Sequence, residues 1–587
     1  MSRFASVCCL LLLCVWAPPA VGELTPDFQM ETDPEFHALP LKKDFQRDFK
    51  GLWRQALQRP EADYQRLAAE TVARAHRHGI PGLQELTPEL ETILTAPASH
   101  PAARFAAARA LIALESRSSA DKLLESGLKY GAVFRQLVEP ALADWDFAPA
   151  RDVWRKRLET PRTFPADLTL ALRGLGHVQD ADSLTKISAM ALDLLRPSQI
   201  RLEAAQAAGD ISDQGLETAA EQLAHDRRTD PQLNRWCALR LLTRHSSSPP
   251  ADCSSNWRMT RNPPIAAALD RLNQIDPQLV VPLAEQAFAS VDPLVRAAGV
   301  HAYLEVPTPE RIKPLARLLD DDHPAVRKLV AEGLSRLAAK PELGEPIRAE
   351  SMTVLAGDRW QGQQQAALLL GSLEHRPAAK RMSELLESPR PEVMVAAAWG
   401  LRKVADPETV PAIIDKIRRQ TVERKRQSVN RALDEQVAHL FEACGRMQAQ
   451  DAEPLMREYI PRDDTRTMDL SRSAAIWALG RLHEGTLDAA LAGDLISRVM
   501  DTGDRPPECP VVKRMAVVAL VRMKAVDQAM NLKSSLAIHQ LASALDVATR
   551  WAVRELSGEE LPPPTPLPYP DGTWFLEPLR PPLAGQP

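Results

Sequence analysis

Apolar residues recur along this chain at offsets of zero, four, seven and ten or eleven from a series of anchor positions. Those offsets lie on one face of a helix with 3.6 residues per turn. Arg327, Ala331, Leu334 and Leu337 form one such block; Met394, Ala398, Leu401 and Val404 form another. Each anchor is a long polar residue or Met, and in six copies it stands three residues after a proline: Pro101 and Arg104, Pro231 and Asn234, Pro293 and Arg296, Pro324 and Arg327, Pro391 and Met394, Pro510 and Lys513. Copies without the proline begin near Arg201, Gln363 and Arg472. The steps are 33 (201 to 234), 31 (296 to 327), 36 (327 to 363), 31 (363 to 394) and 41 (472 to 513). The wider gaps of 97, 62 and 78 residues are near multiples of the same unit. A fixed period of this size means stacked units that cannot bury their apolar faces alone.

The proline fits the first helical position, where its missing N–H would have had no intrahelical partner. Asp230 and Asp292, just before two of these prolines, are good N-caps; His100, His323, Arg390 and Cys509 hold the same place in other copies and are poorer ones. A second, less regular helix follows most blocks, as at 310–319 and 407–419, so the unit is a helical hairpin. Strand signals are weak: aromatics make up 5% of the chain and β-branched alternation is absent.

The stretches Val-Arg-Ala-Ala at 295–298, Asp-Asp-His-Pro-Ala-Val-Arg-Lys at 321–328 and Ala-Ala-Ala-Trp-Gly-Leu-Arg-Lys-Val at 396–404 resemble HEAT repeats of the short type named after phycobilisome lyases. The resemblance covers roughly residues 50 to 557. It implies an all-α fold, a right-handed α-solenoid of about 12–14 HEAT-like helical hairpins, and it is nearly silent on activity. In that family an aspartate and an arginine of the second helix typically interact along the stack. Asp292, Arg296 and Arg327 match those positions, whereas Asn234, Gln363 and Met394 depart from them, which argues against a continuous ladder.

The ends differ from the array, which spans 51–557. Residues 1–22 have the layout of a secretory signal: Arg3, an apolar core from Val7 to Trp16, and small residues Ala20 and Gly22 before Glu23. A buried first helix or a retained anchor is the alternative reading; a lipoprotein box ending at Cys14 is disfavoured by the bulky Leu13. No other stretch approaches 18 apolar residues, so no further membrane span is expected. Residues 23–50 are polar and irregular and are expected to run extended over the first repeat. The clearest interruption of the array is 245–264, and 421–436 is expected to be one long basic helix enlarging its repeat. Residues 558–587 form a Pro-rich tail, expected to favour polyproline II and to fold back over the last repeat through Trp574 and Phe575.

Removal of residues 1–22 leaves 71 Lys and Arg against 77 Asp and Glu, a net charge of −6. That balance gives no electrostatic reason to bind nucleic acid. Motifs for haem, zinc, phosphate loops and nucleophile elbows are missing, so no catalytic, cofactor-binding or metal residue is assigned. Asp320, Asp321, Asp322 and His323 crowd one turn, where capping is the plainer reading. The basic run from Lys416 to Arg426 is either a solvated helix face or a dock for an acidic partner.

The fifth residue past the anchor lies almost opposite the core face. It is Arg109, Gln206, His301 and Glu332 in four repeats, as solvent exposure requires, but tryptophan in two: Trp399 and Trp477. Large aromatics on a polar face are typical interface anchors, and these two are the candidate protein-binding residues; the alternative is that each packs on its own first helix or a neighbouring repeat. The composite expectation is an exported, non-enzymatic scaffold or adaptor for a protein partner, with no cofactor and no small-molecule substrate. Membrane association is expected only if the N-terminal segment is retained or lipidated. An enzyme or lyase subunit of HEAT-like fold and a peripheral envelope component are the rival classes. Export would also permit a disulfide between Cys237 and Cys253, 16 residues apart, tying down the intervening loop; unpaired thiols are the alternative. Non-reducing peptide mapping decides between them: the bridge predicts one linked peptide pair, and two free thiols remove it.

Overall fold

The computed structural model describes residues 24–39, 49–226, 230–245, 263–424, 431–461, 469–503 and 507–563. Among these residues the regular structure is helical, with one isolated bridge between Thr32 and Glu35 and no strand. The expected all-α hairpin array is therefore the fold. Two compact units divide it, one of residues 39–302 and one in which residues 303–562 pack together with the N-terminal segment up to Ala38.

Both units are built from the same hairpin. The proline-started helices occur where the pattern places them, among them Pro101–Ala113, Pro231–Leu241, Pro324–Leu337, Pro391–Val404 and Pro510–Arg522. Asp230 accepts hydrogen bonds from the backbone N–H groups of Gln232 and Leu233, and Asp292 accepts from that of Leu294. His100, a poorer cap by residue type, also caps, accepting at Nδ1 from Ala102 N–H.

The anchor is a long polar residue on a buried face because its stem packs in the core while its head satisfies the orphan carbonyls ending the preceding element. Arg104 donates to the carbonyls of Leu94 (3.2 Å) and Ala96 (2.9 Å). Arg201 donates to Ala191 (3.2 Å), Arg327 to Asp321 (2.8 Å), Gln363 to Gly357 (2.8 Å) and Arg472 to Tyr459 (3.2 Å). Links along the stack also occur: Arg201 donates to Asn234 Oδ1 at 2.7 Å, and Arg472 to Glu508 Oε1 at 2.8 Å.

The return of six hairpins is a copied turn. Glu115, Asp146, Gln179, Glu374, Gln448 and Lys524 have φ between 48° and 55°. In each case the next residue's N–H reaches back to a carbonyl five positions upstream, as Ser116 does to Leu111, Asp180 to Leu175 and Ala525 to Leu520, each at 3.0 Å. This is the Schellman end of a helix, here without glycine.

Wide gaps in the anchor series hold whole repeats with disguised anchors. Between Met394 and Arg472 lies the helix Arg431–Arg446, whose core face starts at Asp434. The single basic helix expected over 421–436 is thus replaced by the end of Val410–Arg424 and the start of Arg431–Arg446, with 425–430 outside the described residues. Residues 1–22 and the tail from 564 also lie outside them.

Neighbouring repeats meet through glycine and alanine. A Cβ on Gly371 would lie 2.8 Å from Gly400 Cα, and one on Gly480 would lie 2.8 Å from Ala519 Cα. In the 39–302 unit, a Cβ on Gly209 would lie 2.0 Å from the Arg240 carbonyl oxygen, a backbone atom that cannot swing aside. Gly209→Ala should therefore destabilise that unit by about 2–3 kcal/mol, within the range for overpacking. Chemical denaturation measures it, and an unchanged midpoint would refute so close an approach.

Candidate functional site

The fifth position past the anchor behaves as expected in the early repeats: Arg109 and His301 are exposed, and Gln206 and Glu332 are partly covered. It does not at Leu239 and Leu368, which are buried, nor from the Pro391–Val404 helix onward. Trp399 is 3% exposed and Trp477 0%, and the column continues with the buried residues His439 and Val518. The solvent-facing placement expected of the two tryptophans is therefore corrected.

Two neighbours account for their burial. Behind each indole stands a glycine of the adjacent repeat: a Cβ on Gly371 would lie 3.0 Å from the Trp399 ring, and one on Gly445 would lie 3.0 Å from that of Trp477. In front lies the chain's own N-terminal segment. Residues 27–36 cross the helices Pro391–Val404, Arg431–Arg446, Asp469–Leu482, Pro510–Arg522 and Ala544–Ser557, so the segment runs over late repeats rather than the first one.

Contacts along the segment fall into two stations. At the first, the Asp27 carboxylate accepts from Trp399 Nε1 at 2.6 Å and from the Arg402 guanidinium at 2.7 Å, with Lys403 Nζ at 3.4 Å. Arg402, 1% exposed, also donates to Glu442 Oε2 at 2.8 Å. Glu442 Oε1 accepts the backbone N–H of Met30 at 2.8 Å. Phe28 stacks on the His439 ring, with centroids 4.5 Å apart and planes 13° from parallel. Met30 is fully buried in the core of the unit.

At the second station, the Asp33 carbonyl accepts from Trp477 Nε1 at 3.1 Å and from Arg522 at 2.9 Å, and its carboxylate pairs with Arg522 at 2.8 Å. Arg522 lies 5.2 Å from the Trp477 ring centroid, and Phe36 lies against Trp551 at 5.2 Å. Each station thus couples an indole N–H and a guanidinium to one aspartate, and an aromatic of the segment to a ring on the array. Charge-assisted bonds of this kind are short and directional.

The electrostatics follow from burial. Desolvation pushes the Asp27 carboxyl up, but Arg402, the Trp399 indole N–H and Lys403 outweigh it and hold it at about 2. Burial pushes His439 below the ordinary imidazole value. The ionisable groups facing it are Glu442 on its own helix, Arg402 on the preceding repeat's helix and Asp27 on the segment; Glu442 and Asp27 favour its cation, and Arg402 opposes it. Its Nδ1 lies 3.6 Å from Glu442 Oε2, too far for a good hydrogen bond.

Other sequence candidates resolve into ordinary structure. Cys237 is buried and burial pushes its thiol up to about 11, while Cys253 lies outside the described residues. Lys416, itself buried, and the exposed Arg419 both pair with Glu387, at 3.0 and 2.7 Å. Asp321 caps by accepting from His323 N–H at 2.8 Å, and Asp320 accepts from Gly362 N–H at 3.0 Å. Among the described residues, Glu453, His483 and Asp488 bring ligand-type atoms within 4.8 Å of one another. Arg457 already bridges the two carboxylates there, which explains the cluster as an ion-pair network.

No known protein family matches the chain, and no curated protein matches it in sequence. Its fold has counterparts among solved structures. Kap95p, studied for its effect on the switch loops of RanGDP in nuclear import complex assembly, gives a TM-score of 0.52 at 12% identity, covering 87% of this chain and 72% of that one. Kap121p bound to Pho4p gives 0.50 at 12% identity, covering 86% and 56%. At such identity the likeness concerns the fold alone, a HEAT-repeat α-solenoid.

Seating of the segment should weaken in acid. A neutral, buried His439 is held below about 6.5, the ordinary imidazole value, so the unseated state takes up the proton more readily. Stability of the seat is complete above that pH and falls as pH drops below it; Asp27 adds a second loss between its ordinary value of 3.8 and about 2. Hydrogen exchange of residues 27–36, normalised to the intrinsic rate at each pH, should report more opening at pH 5 than at pH 7.5, and His439→Leu should flatten that increase. An unchanged profile in the variant would rule out the imidazole as its source.

Proposed function

We propose that this protein is an exported, non-enzymatic scaffold that holds a protein partner on the face of its late repeats. The observation carrying this reading is the seat itself: side chains from five successive repeat helices engage one polypeptide segment, which contains a helical turn at Gln29–Thr32 rather than running extended throughout, by way of carboxylates, backbone groups and aromatic rings. A surface that reads a peptide in this way is a surface for protein ligands. The leader-like composition of residues 1–22 supports export, and the mildly acidic balance fits a protein partner better than nucleic acid. The solved counterparts also engage proteins: Kap95p acts on RanGDP, and Kap121p is bound to Pho4p.

Fractionation of the native host and sequencing of the mature N-terminus test the first half, with Glu23 expected as the first residue outside the cytoplasm. Recovery of the intact leader in the cytosol would sink it. Affinity capture tests the second half. A partner held by the wild-type chain should be lost from a folded Trp477→Ala, Arg522→Glu variant, and identical capture by both would exclude this face.

A further inference from the structure

Resting on the reading of this face as a protein-binding surface, we propose that residues 27–36 are an exchangeable resident ligand. The partner recognised in trans is then a segment of the same chemistry, with two carboxylates six residues apart, a helical turn between them and aromatics beside them.

Three observations lead there. The first is the fifth-position column. Away from the segment it is mixed: Arg109 and His301 face solvent, whereas Leu239 and Leu368 are buried and aliphatic. Under the segment it carries Trp399, His439 and Trp477, whose rings and N–H groups engage the segment directly. Rings with polar groups thus enter the column where the segment sits.

The second is the chemistry of the contacts. A segment added only for stability would be served by apolar packing, since buried ion pairs contribute little net stability and a good deal of specificity. Here the seat turns on charge. Arg402 and Glu442, both essentially buried, satisfy each other with one side of their head groups. The remaining donor and acceptor go to the Asp27 carboxylate and the Met30 N–H. An occupant must therefore bring a carboxylate and, three residues on, a free backbone N–H.

The third is internal repetition. Asp27 meets an indole and a guanidinium, Trp399 and Arg402; Asp33 meets the same pair of groups, Trp477 and Arg522. The segment carries Phe28 beside the first aspartate and Phe36 beyond the second, and each finds a ring on the array. Two related stations at a fixed separation, the indole reading the carboxylate of Asp27 and the backbone carbonyl of Asp33, define a linear motif rather than a single anchoring point. A partner matching both must displace the resident copy to bind.

The test uses the full mature chain and a fluorescein-labelled peptide of residues 24–38, read by anisotropy. In an Asp27→Lys, Asp33→Lys chain the resident segment is repelled from Arg402, Lys403 and Arg522 while the array is untouched. That chain should bind the peptide at least tenfold tighter than wild type. A peptide with both aspartates changed to Asn should lose at least tenfold. A second form keeps every residue of segment and array: wild-type chain with a protease site placed between residues 40 and 48, which after cutting should exchange its own segment for labelled peptide. Absence of peptide binding by both forms, each folded by circular dichroism, would overturn the proposal, as would equal binding of the Asn peptide. Peptide exchange without any captured protein would leave the inference standing and remove the scaffold reading. A captured partner whose binding ignores the competing peptide would do the reverse.

Discussion

The close contact between consecutive repeat helices is the constraint from which the rest follows. Gly371 faces Gly400, Gly445 faces Ala478 and Gly480 faces Ala519 at separations that leave no room for a further carbon. Helices held this closely cannot slide or rotate independently, so each residue offset from the anchor is carried forward at nearly constant pitch. The anchor heads add to the rigidity by capping the preceding element, which ties the two halves of each hairpin. Trp399, His439 and Trp477 consequently form a row without being near one another in sequence. Small residues on the seam set the spacing, and that spacing sets the separation of the two stations.

On this rigid row, polar chemistry does what apolar packing would not. A hydrophobic strip would accept any apolar segment in several registers. Arg402 and Glu442 sit in a buried setting where an unmatched charge is costly, so an occupant out of register leaves one of them uncompensated. Phe28 and Met30 supply apolar burial, and the charges choose its position. The neutral His439 ring beneath Phe28 joins the two roles: it is flat enough to stack on and titratable enough to make the seat sensitive to acid.

The array was legible in the sequence because its signals are local. Proline at the first helical turn, aspartate before it and apolar residues at helical offsets each act within a few residues, and the structure keeps them. Half of the face was legible as well: the fifth-position column singled out Trp399 and Trp477. His439 escaped because its repeat begins at Asp434, which lacks both the proline and the long polar anchor. The segment's placement escaped for a different reason. Asp27 and Trp399 are 372 residues apart, and a contact so distant leaves no periodic trace. Composition marked 23–50 as irregular and nearby repeats seemed its natural support, but the matching charges lay at the other end of the array.

Tethering decides what can compete for the face. A segment on the same chain meets its site at an effective concentration in the millimolar range when the connection is short and flexible, and lower when it is not. A free peptide making the same contacts must be present at comparable concentration to displace it. A partner that binds at lower concentration therefore needs contacts beyond the two stations, and a repeat array offers them, since further helices in register extend the same row. The resident segment would then act as a threshold: it excludes stray acidic peptides that match only the stations and yields to a protein that matches the stations and more of the array.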